Sequence, residues 1–312
     1  MNSTTKSIQS AYREWSPVYM LMSNLNRHDL GCLSYQEAVR IIGQYPEILD
    51  ITDDDIKSLD FANAPGSGIF LSALLNETEL ECLDGVFKCD YLGHRLGKNK
   101  AIVARKGSEV NYLGPLSSGQ IVNFGKAGTV GYKMRSGVVI NAGTAHSVGY
   151  QSTGGIRINL LDANYVGNES RDGLDVNFGN ISDRLAPDAS GGVRLNLGKT
   201  DKFASHVSGG LDVNFGEAFE FAYSPSGGVQ INKGNVRADH SNSKEKISQT
   251  AEMLDALMCK TEEIEALRTL ATNPDELLAF TRSYDWQAFY REVDNLFARI
   301  QDAARRCKGD VK

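Results

Sequence analysis

The chain has 312 residues, with 33 Lys and Arg against 39 Asp and Glu and a formal charge of −6. That balance lacks the basic excess of a nucleic-acid binder, and 41% hydrophobic residues provide a sizeable core, which excludes disorder of the whole. Thirty-one glycines beside seven prolines exclude collagen-like and proline-rich chains.

No run reaches the roughly 18 apolar residues of a membrane span. The longest, Gly68 to Leu75, is strand-length. Met1 to Lys6 lacks the charged-then-apolar pattern of a secretion signal, so the expected address is the cytoplasm, with no membrane partner. The five cysteines (Cys32, Cys82, Cys89, Cys259 and Cys307) are odd in number and contain no Cys-x-x-Cys. Neither a disulfide framework nor a thiol zinc site is signalled, and reduced, half-buried thiols are expected. Five basic residues between Arg95 and Lys106 read as a solvated face, so no nucleic-acid partner is expected.

Residues 1–76 read as a helical cap region. Ser34 and Glu37 have capping-box spacing ahead of Ala38 to Ile42. Thr52 followed by Asp53, Asp54 and Asp55 starts another short helix, whose first turn favours carboxylates.

Residues 77–240 carry a repeat. A glycine followed by five strand-like residues recurs at Gly119, Gly137, Gly155, Gly173, Gly192, Gly210 and Gly228, with spacings of 18, 18, 18, 19, 18 and 18. Ala101 begins a degenerate copy and Gly85 a looser one. Glycine corners without helix-period segments predict a parallel β-helix of 18-residue coils. Eight or nine coils, stacked about 4.8 Å apart, make a rod roughly 40 Å long. The first, third and fifth residues after each glycine are mostly apolar and are assigned to the inside. A second strand ends in Val130, Val148, Val166, Leu185, Phe203 and Phe221, each followed by Gly or Ala, which predicts a tight corner.

Two ladders set the register. The fourth residue is always Asn: Asn123, Asn141, Asn159, Asn177, Asn196, Asn214 and Asn232. Asn tolerates left-handed geometry, so a bend with positive φ is expected. Carboxamides hydrogen-bonded from coil to coil are the other demand that fixes Asn. The second residue alternates in sign through Arg157, Asp175, Arg194 and Asp212. Stacked opposite charges contribute roughly 0.2–1 kcal/mol per pair, so this strip reads first as a register device.

Residues 241–312 read as a helical bundle of three segments. Ile247, Ala251, Leu254, Met258, Ile264 and Leu267 form one stripe, and Asn273-Pro274 starts a second helix. Asp285 caps a third, carrying Trp286, Phe289, Tyr290, Val293, Leu296, Phe297 and Ile300 as a candidate interface. This face is expected to pack on the last coil, to pair with another subunit, or both.

The segments Gly125-Lys-Ala-Gly-Thr-Val-Gly-Tyr-Lys-Met-Arg-Ser-Gly137 and Gly143-Thr-Ala-His-Ser-Val-Gly-Tyr-Gln-Ser-Thr-Gly-Gly155 resemble a known repeat. It belongs to the C-terminal domain of the glutamate synthase large subunit and to one of the subunits of formylmethanofuran dehydrogenase. The resemblance spans about residues 85–236 and implies a single-stranded, right-handed parallel β-helix, which the helical N- and C-terminal segments read above would flank. Family members place apolar residues at the second and fourth strand positions, unlike this chain. His146 replaces the family glycine, Ser152 and Ser170 replace the Met, and no later coil has a Met. In those enzymes the β-helix is a scaffold.

No catalytic, cofactor or metal residues are signalled. His28, His94, His146, His206 and His240 do not cluster, and the Gly-x-x-Gly pieces lack the strand–helix context of a dinucleotide fingerprint. The expected function is a non-catalytic scaffold or interaction protein, meeting a protein partner or its own copies through the helical flanks. An accessory subunit of a glutamate synthase-like or formylmethanofuran dehydrogenase-like complex is the alternative. A carbohydrate-acting enzyme using the Arg157/Asp175/Arg194/Asp212 strip is weaker.

Overall fold

The 18-residue period folds into two parallel sheets that face each other across a narrow lumen. The structure is a computed structural model and describes residues 3–22, 27–59, 64, 66–241 and 243–306. The first sheet stacks β1 (Cys82–Gly85), β3 (Ala101–Ala104), β5 (Gln120–Asn123), β7 (Val138–Asn141), β9 (Ile156–Asn159), β11 (Leu174–Asn177), β13 (Val193–Asn196), β15 (Leu211–Asn214) and β17 (Val229–Asn232). The second stacks β2 (Lys88–Cys89), β4 (Glu109–Leu113), β6 (Lys126–Val130), β8 (Thr144–Val148), β10 (Asp162–Val166), β12 (Asn180–Leu185), β14 (Lys199–Phe203), β16 (Glu217–Phe221) and β18 (Asn235–Asp239). The chain alternates between them, so each odd–even pair is one coil of a nine-coil parallel β-helix. Repeat positions stack in phase: Asn141 pairs with Asn159, and Asp175 with Arg157 below and Arg194 above. Gly85 closes β1, pairing with Ala104, and so does not lead a coil.

The sidedness is the reverse of the sequence expectation. Positions one, three and five of the first sheet, such as Val138, Ile140 and Ala142, face outward into a core shared with the C-terminal helices. Positions two and four point into the lumen. There Ile102, Ile121 and Val139 of the early coils share a core with Val130 and Val148 of the second sheet; Ala101 pairs with Gln120 and not with the leading Gly119, which puts Ile102 at position two. Alternation separates the two faces of a strand but does not say which one the coil encloses. Here an outer layer of helices makes both faces buried.

Three helices follow the coils: α5 (Ser243–Leu270), α6 (Pro274–Ser283) and α7 (Trp286–Arg306). The Asn273 cap with Pro274 and the Asp285 cap act as the sequence predicts, Asp285 Oδ1 accepting from Ala288 N at 2.9 Å. Lys233 beside the last coil pairs with Asp255 in α5 at 2.8 Å, while Arg105 beside the second coil pairs with Asp275 in α6 at 2.5 Å. From Asp255 to its end at Leu270, α5 rises about 22 Å, two thirds of the about 34 Å that seven strand spacings between those coils span. α5 therefore runs back along the rod, and α7 returns. Their buried stripe includes Leu254, Leu257, Ile264, Leu267, Phe289, Val293 and Ile300. These helices line the flank of several coils, the last among them, where α5 packs beside β17.

The first coil is closed by helices α1 (Ser3–Met22), α2 (Arg27–Ile42), α3 (Asp53–Lys57) and α4 (Ser67–Glu77). The apolar run Gly68 to Leu75 is helix α4, buried on every side because it lies between the other helices and the open coil. A Cβ on Gly68 would lie 2.2 Å from the Asp90 carbonyl oxygen. The Ser72 hydroxyl accepts from Gly93 N and His94 N at 2.7 and 3.0 Å, and Asn76 Oδ1 from Gly97 N at 2.9 Å. The coil's exposed backbone edge is thereby satisfied. Ser34 is not an N-cap, since α2 starts earlier; its carbonyl accepts from Trp15 Nε1 at 2.8 Å. Thr52 does form a capping box, with Asp55.

Candidate functional site

The Asn ladder runs unbroken inside the corner between the two sheets. Each Nδ2 donates to the Oδ1 of the next Asn: 2.8 Å from Asn123 to Asn141 and from Asn141 to Asn159, and 2.9 Å from Asn159 to Asn177 and on to Asn196. The last two steps, to Asn214 and Asn232, are 2.7 and 2.9 Å. Asn232 Nδ2 ends the chain of bonds on Asp239 Oδ2 at 2.9 Å. The same amides turn the corner: Gly125 N donates to Asn123 Oδ1 at 3.1 Å, and Asn159 Nδ2 to Leu161 O at 2.8 Å. None of the seven has positive φ. The bend is therefore made by side-chain hydrogen bonds to ordinary extended backbone. Left-handed geometry falls at the other corner, on Gly131, Gly149, Gly167, Ala186, Ala204 and Ala222, the corner for which the sequence predicts a small residue.

Arg157, Asp175, Arg194 and Asp212 also lie within the lumen, each no more than 1% exposed. They meet as two pairs, Arg157 Nε to Asp175 Oδ1 and Arg194 Nε to Asp212 Oδ1, both at 2.5 Å. Remaining guanidinium protons go to carbonyls: Arg157 to Gly154 O at 2.7 Å and Asp172 O at 3.0 Å, Arg194 to Gly191 O and Gly209 O. Gln230 extends the column, reaching Asp212 Oδ2 at 3.4 Å. No polymer lying on the surface can touch these groups, which removes the basis for a carbohydrate-acting strip. A buried pair is weak evidence for stability but strong evidence for register, because a one-residue slip would put the charges among apolar neighbours.

The candidate interface on α7 is occupied within the chain. Trp286, Phe289, Val293, Leu296 and Ile300 are buried against the first sheet, and Tyr290 and Phe297 pack at its margin. Burial and then the Asp172 carboxylate push the Tyr290 phenol up to about 12. Association through α5–α7 is left to their outer faces.

Two surfaces are not evident from the sequence. The outer face of the second sheet is bare: the first and third residues of its strands, including Lys126, Thr144, His146, Asn164, Ser182 and Lys199, face solvent. The other is a cleft of about 680 Å³ between the coil corners at Gly119, Gly137 and Gly155 and the α6–α7 junction. The alternation of exposed residues in the second strand could have revealed the first; the cleft depends on the helices folding back.

Among the described cysteines, Cys89 is buried, Cys82 half-buried and Cys259 exposed. Burial pushes Cys89 up to about 12. Cys307 and the side chains of Cys32 and Ile247 lie outside the described residues. Among those described, no helix is long and apolar enough to cross a membrane.

Fold and ladders define the class: a parallel β-solenoid with a helical cap and a helical side layer. Set against family models, curated proteins and solved structures, the chain has no match.

Proposed function

We propose that this chain is a non-catalytic scaffold that meets a protein partner, or its own copies, on its uncovered second sheet. One observation carries the reading. The first sheet is covered by the chain's own helices, whereas the second presents a row of exposed, mostly polar side chains along the rod, Phe219 among them. Internal ladders that fix register make such a surface rigid, which lowers the entropic cost of binding.

Cross-linking in cell extract through Lys126 and Lys199, combined with mass-resolved size exclusion, tests it. Cross-links from these lysines to another chain are the expected result. A monomer at micromolar concentration with intrachain cross-links alone counts against the proposal.

The second reading is an accessory subunit of a glutamate synthase-like or formylmethanofuran dehydrogenase-like complex. Two features support it: the likeness of Gly125 to Gly155 to that family's repeat, and the 18-residue coil. Copurification with flavin or iron–sulfur subunits distinguishes it from the first.

A further inference from the structure

The cleft beside α7 has the size of a small-molecule site, which runs from about 300 to 1,000 Å³. One wall is the glycine backbone of stacked coil corners, and the other is aromatic, with Tyr284, Trp286 and Tyr290. Three cations line it: Lys98, Arg135 and Arg291. Among the described residues none of the three makes an ion pair, and Arg291 donates only to the Gln287 carbonyl of its own helix. The two carboxylates in the cleft are already engaged. Asp172 accepts from Gly173 N at 2.7 Å and from the Tyr290 phenol, and Asp285 caps α7. Three cations thus face two carboxylates in the cleft, a local excess of positive charge in a chain of net charge −6.

We propose that this cleft binds a small extended polyanion, carrying phosphate or carboxylate groups at both ends. Arg135 and Arg291 supply planar forks suited to such oxygens. Lys98 precedes β3 and Arg135 precedes β7, two strand spacings apart, or about 10 Å. A compact monoanion cannot span that distance, whereas a chain of linked anionic groups can.

The test is calorimetric titration of the full chain with inorganic tripolyphosphate and, separately, inorganic phosphate. Tripolyphosphate is expected to bind at least tenfold more tightly than phosphate. R135Q/R291Q is expected to weaken it at least tenfold, while K126Q, on the uncovered sheet, leaves it unchanged. Should the double variant melt early, R135Q and K98Q are read singly, each expected to weaken binding at least threefold. No binding to the wild-type chain overturns the proposal, as do equal affinities for the two anions or undiminished binding by the arginine variants. Loss of cross-linking through the second sheet leaves this site untouched, so the two proposals fail separately.

Discussion

Arg157 and Asp175 meet one above the other inside the solenoid, Nε to Oδ1 at 2.5 Å, with the guanidinium fully buried. The pair is surrounded by backbone carbonyls and cannot relax into water. R157M leaves the Asp175 carboxylate buried without its partner and is expected to cost about 3–5 kcal/mol. R157M/D175L removes both charges and should recover most of that loss. Urea midpoints of the two variants check it; a single substitution no more harmful than the double one counts against the pairing.

Asn159 accepts from Asn141 and donates to Asn177, so N159A removes one ladder bond on each side, while Asn141 Nδ2 keeps Gly143 O and Asn177 Oδ1 keeps Gly179 N, both at 3.2 Å. The expected loss is about 0.5–1.5 kcal/mol for each ladder bond removed. N232A lies at the end of the ladder, where only Asn214 loses a ladder acceptor, and should cost distinctly less. Equal melting shifts for the two variants would mean that the amides act independently.

At the opposite corner, Gly149 has φ +77° and a Cβ there would lie 2.2 Å from Arg157 Cδ. G149A combines left-handed strain with overpacking and is expected to cost about 2 kcal/mol or more. Ala204 already holds the equivalent place at φ 58°, so A204G should be close to neutral. Thermal unfolding of both variants separates space from backbone conformation.

The coil length, the ladders and the small-residue corner are legible in the sequence, because in-phase stacking forces each copy to repeat the same demands. The interior is not, since Val138, Ile140 and Ala142 look like lining for a lumen and are lining for a helix layer. Arg157 and Asp175 look like surface charges because a buried pair has the same residue types as an exposed one. The run Gly68 to Leu75 looks like a strand by length alone; a helix buried on all sides has no amphipathic period to betray it. The cleft is illegible for another reason. Its walls come from coils and helices more than a hundred residues apart.

Cys89 makes a pH-dependent contribution with a definite sign. Its folded value is raised from 9.0 to about 12, so the unfolded thiol ionises first as pH rises. The stability it contributes is full below pH 9 and is lost progressively toward pH 12. The stability difference between wild type and C89A, followed by urea unfolding from about pH 8 to 11, should therefore fall with pH. Ellman's reagent should label the exposed Cys259 long before Cys89.

Ile300 is fully buried in α7 beneath the surface of the helical layer, where Gln301 next to it donates to the Gly210 carbonyl at 3.4 Å. I300E places a carboxylate in that apolar seam without a partner, and the charge escapes burial if the helix lifts away. The coils keep their internal ladders in that event, because none of the ladder bonds passes through the helices. The expected result is rapid proteolysis within residues 243–306 while the core of 82–239 resists. The outward row Val138, Ile140 and Ala142 then meets solvent and should bind an apolar dye. Simultaneous digestion of coils and helices would instead make the layer part of one cooperative unit with the rod.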